Sequence, residues 1–197
     1  MEHREGTIRV GFALCGSFCT HSKALEALAR VKERYGDVLP IVSEISAAAD
    51  TRFGTASGLR AELERICGRQ VVDTIPKAEP IGPKSLLDVL VVCPCTGNTL
   101  AKLANGVTDT TVTMAAKSHL RNGRPLVLCP ATNDGLSGSA RNIGALLDKK
   151  NVYFVPFRQD DPAGKPTSLV ADFSLVPDAV QAALEGRQLQ LVLLGSA

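Results

Sequence analysis

Along this chain, short continuous apolar runs take turns with longer stretches in which apolar residues recur every three or four positions, as strands and helices do. Thr7 to Leu14 is the first run. It ends in Cys15-Gly16-Ser17, and Lys23 to Arg34 follows with Leu25, Leu28 and Ala29 on one helical face. Val38 to Ile45 predicts a second strand. Ser57 then offers an N-cap, Leu59, Leu63, Ile66 and Cys67 share a face, and Gly68 stops the helix. Pro76, Pro80, Gly82 and Pro83 argue against a regular element from Ile75 to Lys84 and predict a fixed, partly extended loop. Asp88 to Cys93 and Pro125 to Cys129 are β-rich runs of the kind covered on both faces. Thr99 to Ala104, Thr110 to Arg121 and Ala140 to Leu147 have helical patterns, and Val152 to Val155 is a further strand. Gln159 to Thr167 is polar and contains proline, which suits a surface loop or lid. Val176, Val180, Ala183 and Leu184 predict a last helix, Gly186 its stop, and Leu189 to Leu194 a short strand or docked tail.

This alternation predicts an α/β domain with a mostly parallel sheet and helices on both faces. Such sheets bind ligands beyond the carboxyl ends of their strands. The loops Cys15 to His21, Ser43 to Gly54, Pro94 to Asn98 and Pro130 to Gly135 are therefore expected to converge.

Composition removes several alternatives. A length of 197 residues suits a single domain over 1–197, and 45% hydrophobic with 21% charged residues speaks against disorder or a fibre. Lys and Arg exceed Asp and Glu by only 22 to 20, a net charge too small to mark a nucleic-acid binder. Aromatics at 4% and no Trp leave no stacking platform for single strands. Val89 to Cys93 and Leu191 to Leu194 fall far short of the roughly 20 apolar residues that cross a bilayer. The start, Met1-Glu2-His3-Arg4-Glu5, shows no basic segment before an apolar core, so no export is expected and the cytoplasm is the expected location. The six cysteines are read as reduced thiols.

The candidate chemistry lies at the strand exits. Gly16-Ser17 stands where a strand gives way to a helix, a place where backbone N–H groups and a hydroxyl can approach a phosphate. There is neither a phosphate-loop lysine nor a Gly-x-Gly-x-x-Gly, which speaks against an NTPase and a standard dinucleotide site. Thr96, Gly97, Asn98 and Thr99 place hydroxyls, a glycine and an amide at the next exit, a set suited to an oxygen-rich ligand. Lys102, one turn along, could face an anion. Thr132-Asn133-Asp134 ends the following strand in the same way. Cys15, Cys95 and Cys129 fall near the same edge, but their spacing fits no zinc pattern and they read as small buried hydrophobes. His21 could serve as a general base, whereas His3 and His119 look peripheral. No metal site and no catalytic residue can be assembled from the pattern.

These residues resemble a known family. The run from Val92 to Asp109 (VCPCTGNTLAKLANGVTD), followed by Pro130-Ala131-Thr132-Asn133, is similar to the flavoprotein superfamily, which includes phosphopantothenoylcysteine decarboxylases and flavin prenyltransferases. Within it, Gly16-Ser17-Phe18-Cys19-Thr20, Thr51-Arg52-Phe53-Gly54, Glu79 to Lys84, Leu120 to Gly123 and Asn151 to Phe157 resemble the dipicolinate synthase B-subunit family. The resemblance covers nearly the whole chain. It implies a three-layer, Rossmann-like domain of flavodoxin type that assembles as a homo-oligomer, a trimer or a multiple of one. It also implies FMN as a cofactor, with Gly16, Ser17, Ser43, Thr96, Gly97, Asn98 and Thr99 along the phosphate and ribityl chain and Thr132 and Asn133 near the ring or substrate. Two departures bear on the chemistry. No His follows the second strand, where Thr51-Arg52-Phe53 stands, which disfavours a decarboxylase; Met114 replaces a phosphate-contacting Arg of the prenyltransferases.

The resemblance further implies a partner, the A subunit of dipicolinate synthase. That partner carries the NAD(P) site while the pair oxidises dihydrodipicolinate to dipicolinate in the mother cell of a sporulating bacterium. For this dicarboxylate, Arg52 and Lys84 are the expected binding residues. Three readings stay open at this point: a catalytic subunit, a scaffold that stabilises its partner, and an FMN-dependent redox subunit.

Overall fold

The computed structural model describes residues 7–195; the expectations for His3 and the N-terminal start lie outside the described residues. β1 (Arg9–Leu14) leads through a 3₁₀ turn at Phe18–Thr20 into α1 (His21–Tyr35), and β2 (Asp37–Val42) follows. Then come α2 (Glu44–Ala48), α3 (Ala56–Cys67), α4 (Ile75–Ala78) and β3 (Val89–Cys95). α5 (Gly97–Asn105) and α6 (Thr111–Leu120) separate β3 from β4 (Leu126–Thr132), and α7 (Ala140–Leu147) leads to β5 (Val152–Phe154). A short hairpin, β6 (Phe157–Arg158) and β7 (Leu169–Ala171), and α8 (Val176–Leu184) complete the chain.

The parallel strands lie in the order β2-β1-β3-β4-β5, which is flavodoxin-like. β7 pairs antiparallel with the end of β4, Ala131 opposite Val170 and Thr132 opposite Leu169. α1 packs against α3 and α8, while α5 packs against α6 and α7, so the sheet forms the middle of three layers. This is why β3 is buried at every position and reads as an unbroken apolar run.

The departures from the sequence expectations have local causes. β2 ends at Val42 because Ser43 already precedes α2. α3 starts earlier than expected, with Thr55 as N-cap accepting from the Gly58 N–H at 3.1 Å. The proline-rich segment contains α4 and a 3₁₀ turn at Glu79–Ile81, because Pro76 and Pro80 sit in first turns where a missing N–H leaves no bond unmade. Gln159 to Thr167 lies in the loop between β6 and β7, strands too short to show a period. His119 is a core residue, 1% exposed, and not peripheral. Leu193 bridges Phe157, so the tail docks on the hairpin.

Candidate functional site

The connections from β1 and β3 depart in opposite directions along the sheet, and a crevice opens beyond their carboxyl ends. The exits of the two strands are tied together: the Cys15 N–H donates to the Pro94 carbonyl at 3.3 Å, and the Ser17 N–H turns back to the Cys15 carbonyl at 2.9 Å. A side chain on Gly16 would crowd Ile45, whose Cγ2 lies 2.9 Å from the position a Cβ would take. Thr20 Oγ1 donates to the Ser17 carbonyl at 2.8 Å. His21 Nε2 lies 2.8 Å from the Cys15 carbonyl, and only a ring N–H can bond there, so its proton is committed to holding the turn. Burial lowers the imidazole pKa and keeps it neutral. His21 is therefore a support for the first wall.

Thr96 caps α5, its Oγ1 accepting from the Thr99 N–H at 3.3 Å. Thr99 Oγ1 donates to Cys15 Sγ at 3.2 Å, which links the β1 and β3 exits a second time. Among the described residues, the N–H groups of Gly97 and Asn98 meet no protein acceptor and stand at the positive end of the helix. Ser43 is buried with its Oγ 3.0 Å from Ser46 Oγ, and Glu44 Oε1 accepts from the Thr111 N–H and hydroxyl at 2.8 and 2.7 Å. Glu44 thus pins α2 to α6.

At the β4 exit Asp134 gathers hydroxyls. Its Oδ1 accepts from Thr132 Oγ1 at 2.5 Å and from Ser139 Oγ at 2.9 Å. Gly97 fits against this knot, where a Cβ would come within 2.7 Å of oxygens of Asp134, Ser139 and Thr132. The Asn133 carbonyl accepts from Thr167 Oγ1 at 2.7 Å.

Two adjoining clefts result. One, of about 410 Å³, is bordered by Cys15, Gly16, Ser43, Thr96, Asn98 and Thr99. The other, of about 440 Å³, is bordered by Gly16, Ser17, Thr96, Thr132 and Asn133 and by Arg52 with Phe53. Gly16 and Thr96 belong to both. The expected cofactor residues therefore come together, with Gly97 as a packing contact behind them. Arg52 lies over the Phe53 ring, 4.8 Å from its centroid, and among the described residues pairs with no carboxylate.

Lys84 does not join them. Its segment precedes β3, so it lies at the amino edge of the sheet, where Asn122 Nδ2 donates to the Gly82 carbonyl at 2.8 Å and Arg124 holds Asp88. Position before a strand, not loop composition, was the available signal. Lys102 turns to Asp109 at 2.8 Å, and Met114 is partly buried against the core. Phe53, which stands in the Thr51-to-Gly54 motif, borders the second cleft, and so does Lys165, which carried no functional signal in the sequence. Cys15, Cys93, Cys95 and Cys129 are buried; burial pushes the Cys15 thiol up to about 11 and raises Cys93 and Cys95, so those three stay protonated. Among the described residues no group of three or more His, Cys, Asp or Glu could hold a metal, and no helix is long and apolar enough to cross a membrane.

Known proteins share this architecture. The Flavoprotein family model matches residues 2–169. The chain is 42% identical over 186 residues to the B subunit of dipicolinate synthase of Bacillus subtilis (strain 168), covering 94% of this chain and 93% of that protein. It superposes on the crystal structure of the dipicolinate synthase B subunit from Bacillus halodurans C with a TM-score of 0.89 at 43% identity, covering 96% and 97% of the two chains. The FMN-dependent cysteine decarboxylase SpaF shares the fold, with a TM-score of 0.66 at 21% identity over 90% of this chain and 95% of that one.

Proposed function

The chain belongs to the Flavoprotein family, and from that premise we propose that it works as the B subunit of a dipicolinate synthase, oxidising dihydrodipicolinate with an A subunit. In this reaction the dihydropyridine ring loses a hydride to NAD(P) and a proton to solvent, and becomes aromatic. The nucleotide sits on the A subunit, in keeping with the absence of a Gly-x-Gly-x-x-Gly in this sequence. The setting is the cytoplasm of a sporulating cell.

The observation that carries the reading is the convergence of Ser17, Thr96 and Asn133 in one cleft with an unpaired Arg52 facing it. Arg52 offers a planar fork to one carboxylate of the substrate. Ser17 and Asn133 present polar groups that orient the ring while the partner takes the hydride, and Asn98 borders the adjoining cleft that shares Gly16 and Thr96 with it. His21 has its Nε2 proton committed to the Cys15 carbonyl, which leaves Nδ1 as its one ring acceptor.

The same donors fit FMN. The free amides of Gly97 and Asn98 and the hydroxyls of Ser17, Ser43, Thr96 and Thr99 suit a phosphate and ribityl chain, with Thr132 and Asn133 toward the ring. When bound, FMN supplies a ring that accepts or donates two electrons.

The test is nucleotide reduction with dihydrodipicolinate, followed for each protein in isolation and for the pair. Turnover is expected only from the pair; full activity from the isolated A subunit removes this chain from catalysis. In the pair, Asn98→Ala and Asn133→Ala are each expected to lower kcat/KM about tenfold, the loss of one good hydrogen bond. Unchanged turnover in both leaves a scaffold that stabilises its partner. Retention of flavin absorbance after incubation with FMN and gel filtration reports the cofactor separately.

A further inference from the structure

We propose that Lys165 is the second carboxylate-binding residue of the cleft, facing Arg52, and that the two cations together select a diacid over a monoacid. This rests on the substrate being the pyridine dicarboxylate proposed above. A ring with a carboxylate at each end calls for a cation at each end, and Lys84 lies at the wrong edge of the sheet to supply one. The cations that border the cleft together with Ser17, Thr96 and Asn133 are Arg52 and Lys165.

They arrive from separate elements. Arg52 comes from the tight turn closed by Thr51 and Gly54, and Lys165 from the loop between β6 and β7. That loop is anchored against the β4 exit. Thr167 Oγ1 donates to the Asn133 carbonyl at 2.7 Å, the Leu136 N–H to the Thr167 carbonyl at 2.9 Å, and the Ser168 N–H to the Lys165 carbonyl at 3.0 Å. Thr167, two residues from Lys165, is thus held beside Asn133, while the Lys165 ammonium is less tied: its paired carboxylate, Asp160, is 3.9 Å away and the side chain is 54% exposed.

One planar fork, stacked over Phe53, and one adjustable point charge suit a ring whose shape changes between the dihydro and aromatic forms. Asp160 borders the cleft as well, so without Lys165 a bare carboxylate would face the dianion.

The experiment uses the reconstituted two-subunit complex with dipicolinate and picolinate as inhibitors that differ by one carboxylate. Wild type is expected to bind dipicolinate at least about tenfold more tightly than picolinate, as one charge-assisted contact allows. Lys165→Met should bring that ratio close to one and raise KM for dihydrodipicolinate about tenfold, and Lys165→Arg should restore both. An unchanged ratio in Lys165→Met, or an equal loss for both inhibitors, overturns the proposal. Because inhibitor binding is measured on the complex against the isolated A subunit, the outcome is separate from whether this chain takes part in turnover.

Discussion

His119 shows how one buried side chain sets a pH dependence for the whole fold. Its Nε2 donates to the Pro125 carbonyl at 2.9 Å, and its Nδ1 is buried without a partner, so the ring is neutral. Burial, helped by the nearby Arg124 charge and opposed by the Pro125 carbonyl and Asp88, pushes its pKa from 6.5 down to about 4. Because the folded value lies below the unfolded one, the unfolded chain takes up the proton first as pH falls. Stability from this group is complete above pH 6.5 and is lost on the way down to about pH 4. The unfolding free energy from urea titration is expected to be about 2 kcal/mol lower at pH 5 than at pH 7. His21, whose pKa burial also lowers, contributes in the same direction. His119→Gln, which can keep a donor on the Pro125 carbonyl, should flatten most of that slope; an unaltered slope would place its origin elsewhere. In the sequence His119 looks peripheral, because a lone histidine near a helix end gives no sign of which face it turns inward.

At the scale of elements, the junction of α5 with the β4 exit is the tightest contact at the site. Gly97 opens α5 against oxygens of Asp134, Ser139 and Thr132, all 2.7 Å from the position of a Cβ. Gly144, in the exposed middle of α7, has nothing within 4 Å of that position. Gly97→Ala should therefore destabilise the fold by about 1–3 kcal/mol through overpacking. Gly144→Ala should stabilise it by about 0.5–1 kcal/mol, since alanine suits a helix interior better than glycine. Urea denaturation of the two variants reads the difference, and equal effects would dismiss the packing role of Gly97. The glycine itself is legible in the sequence as part of a ligand-like exit loop. Its closest neighbours come from a strand exit more than thirty residues on, which no local pattern announces.

For the whole molecule, the mouth of the crevice carries large apolar side chains, Ile45 at 56% and Phe53 at 53% exposure. Apolar surface beside a polar cleft is the kind of face at which a covering chain is expected. Ile45→Asp with Phe53→Asp is expected to reduce assembly, either with a second copy or with the A subunit. Light scattering of the isolated chain and of the mixture checks this, with circular dichroism confirming an unchanged fold. If the variant assembles as wild type does, the covering face lies elsewhere, with the exposed Leu191 and Leu193 of the docked tail as the next surface to alter.

What the sequence determined by itself was the five parallel strands, the longer helices between them and the residue types at the strand exits, because periodicity and exit-loop chemistry are local properties. Gly16-Ser17, Thr96-Gly97-Asn98 and Thr132-Asn133 could be picked out on that basis before any coordinates. The tertiary structure alone decided which cations share the cleft. Arg52 and Lys84 look alike in sequence, yet one follows a carboxyl edge and the other precedes a strand at the opposite edge. Lys165 enters only because the two-residue strand β6 and the three-residue strand β7 carry its loop back over Asn133. Strands so short leave no period to read, and their pairing is fixed by contact with β4 in space.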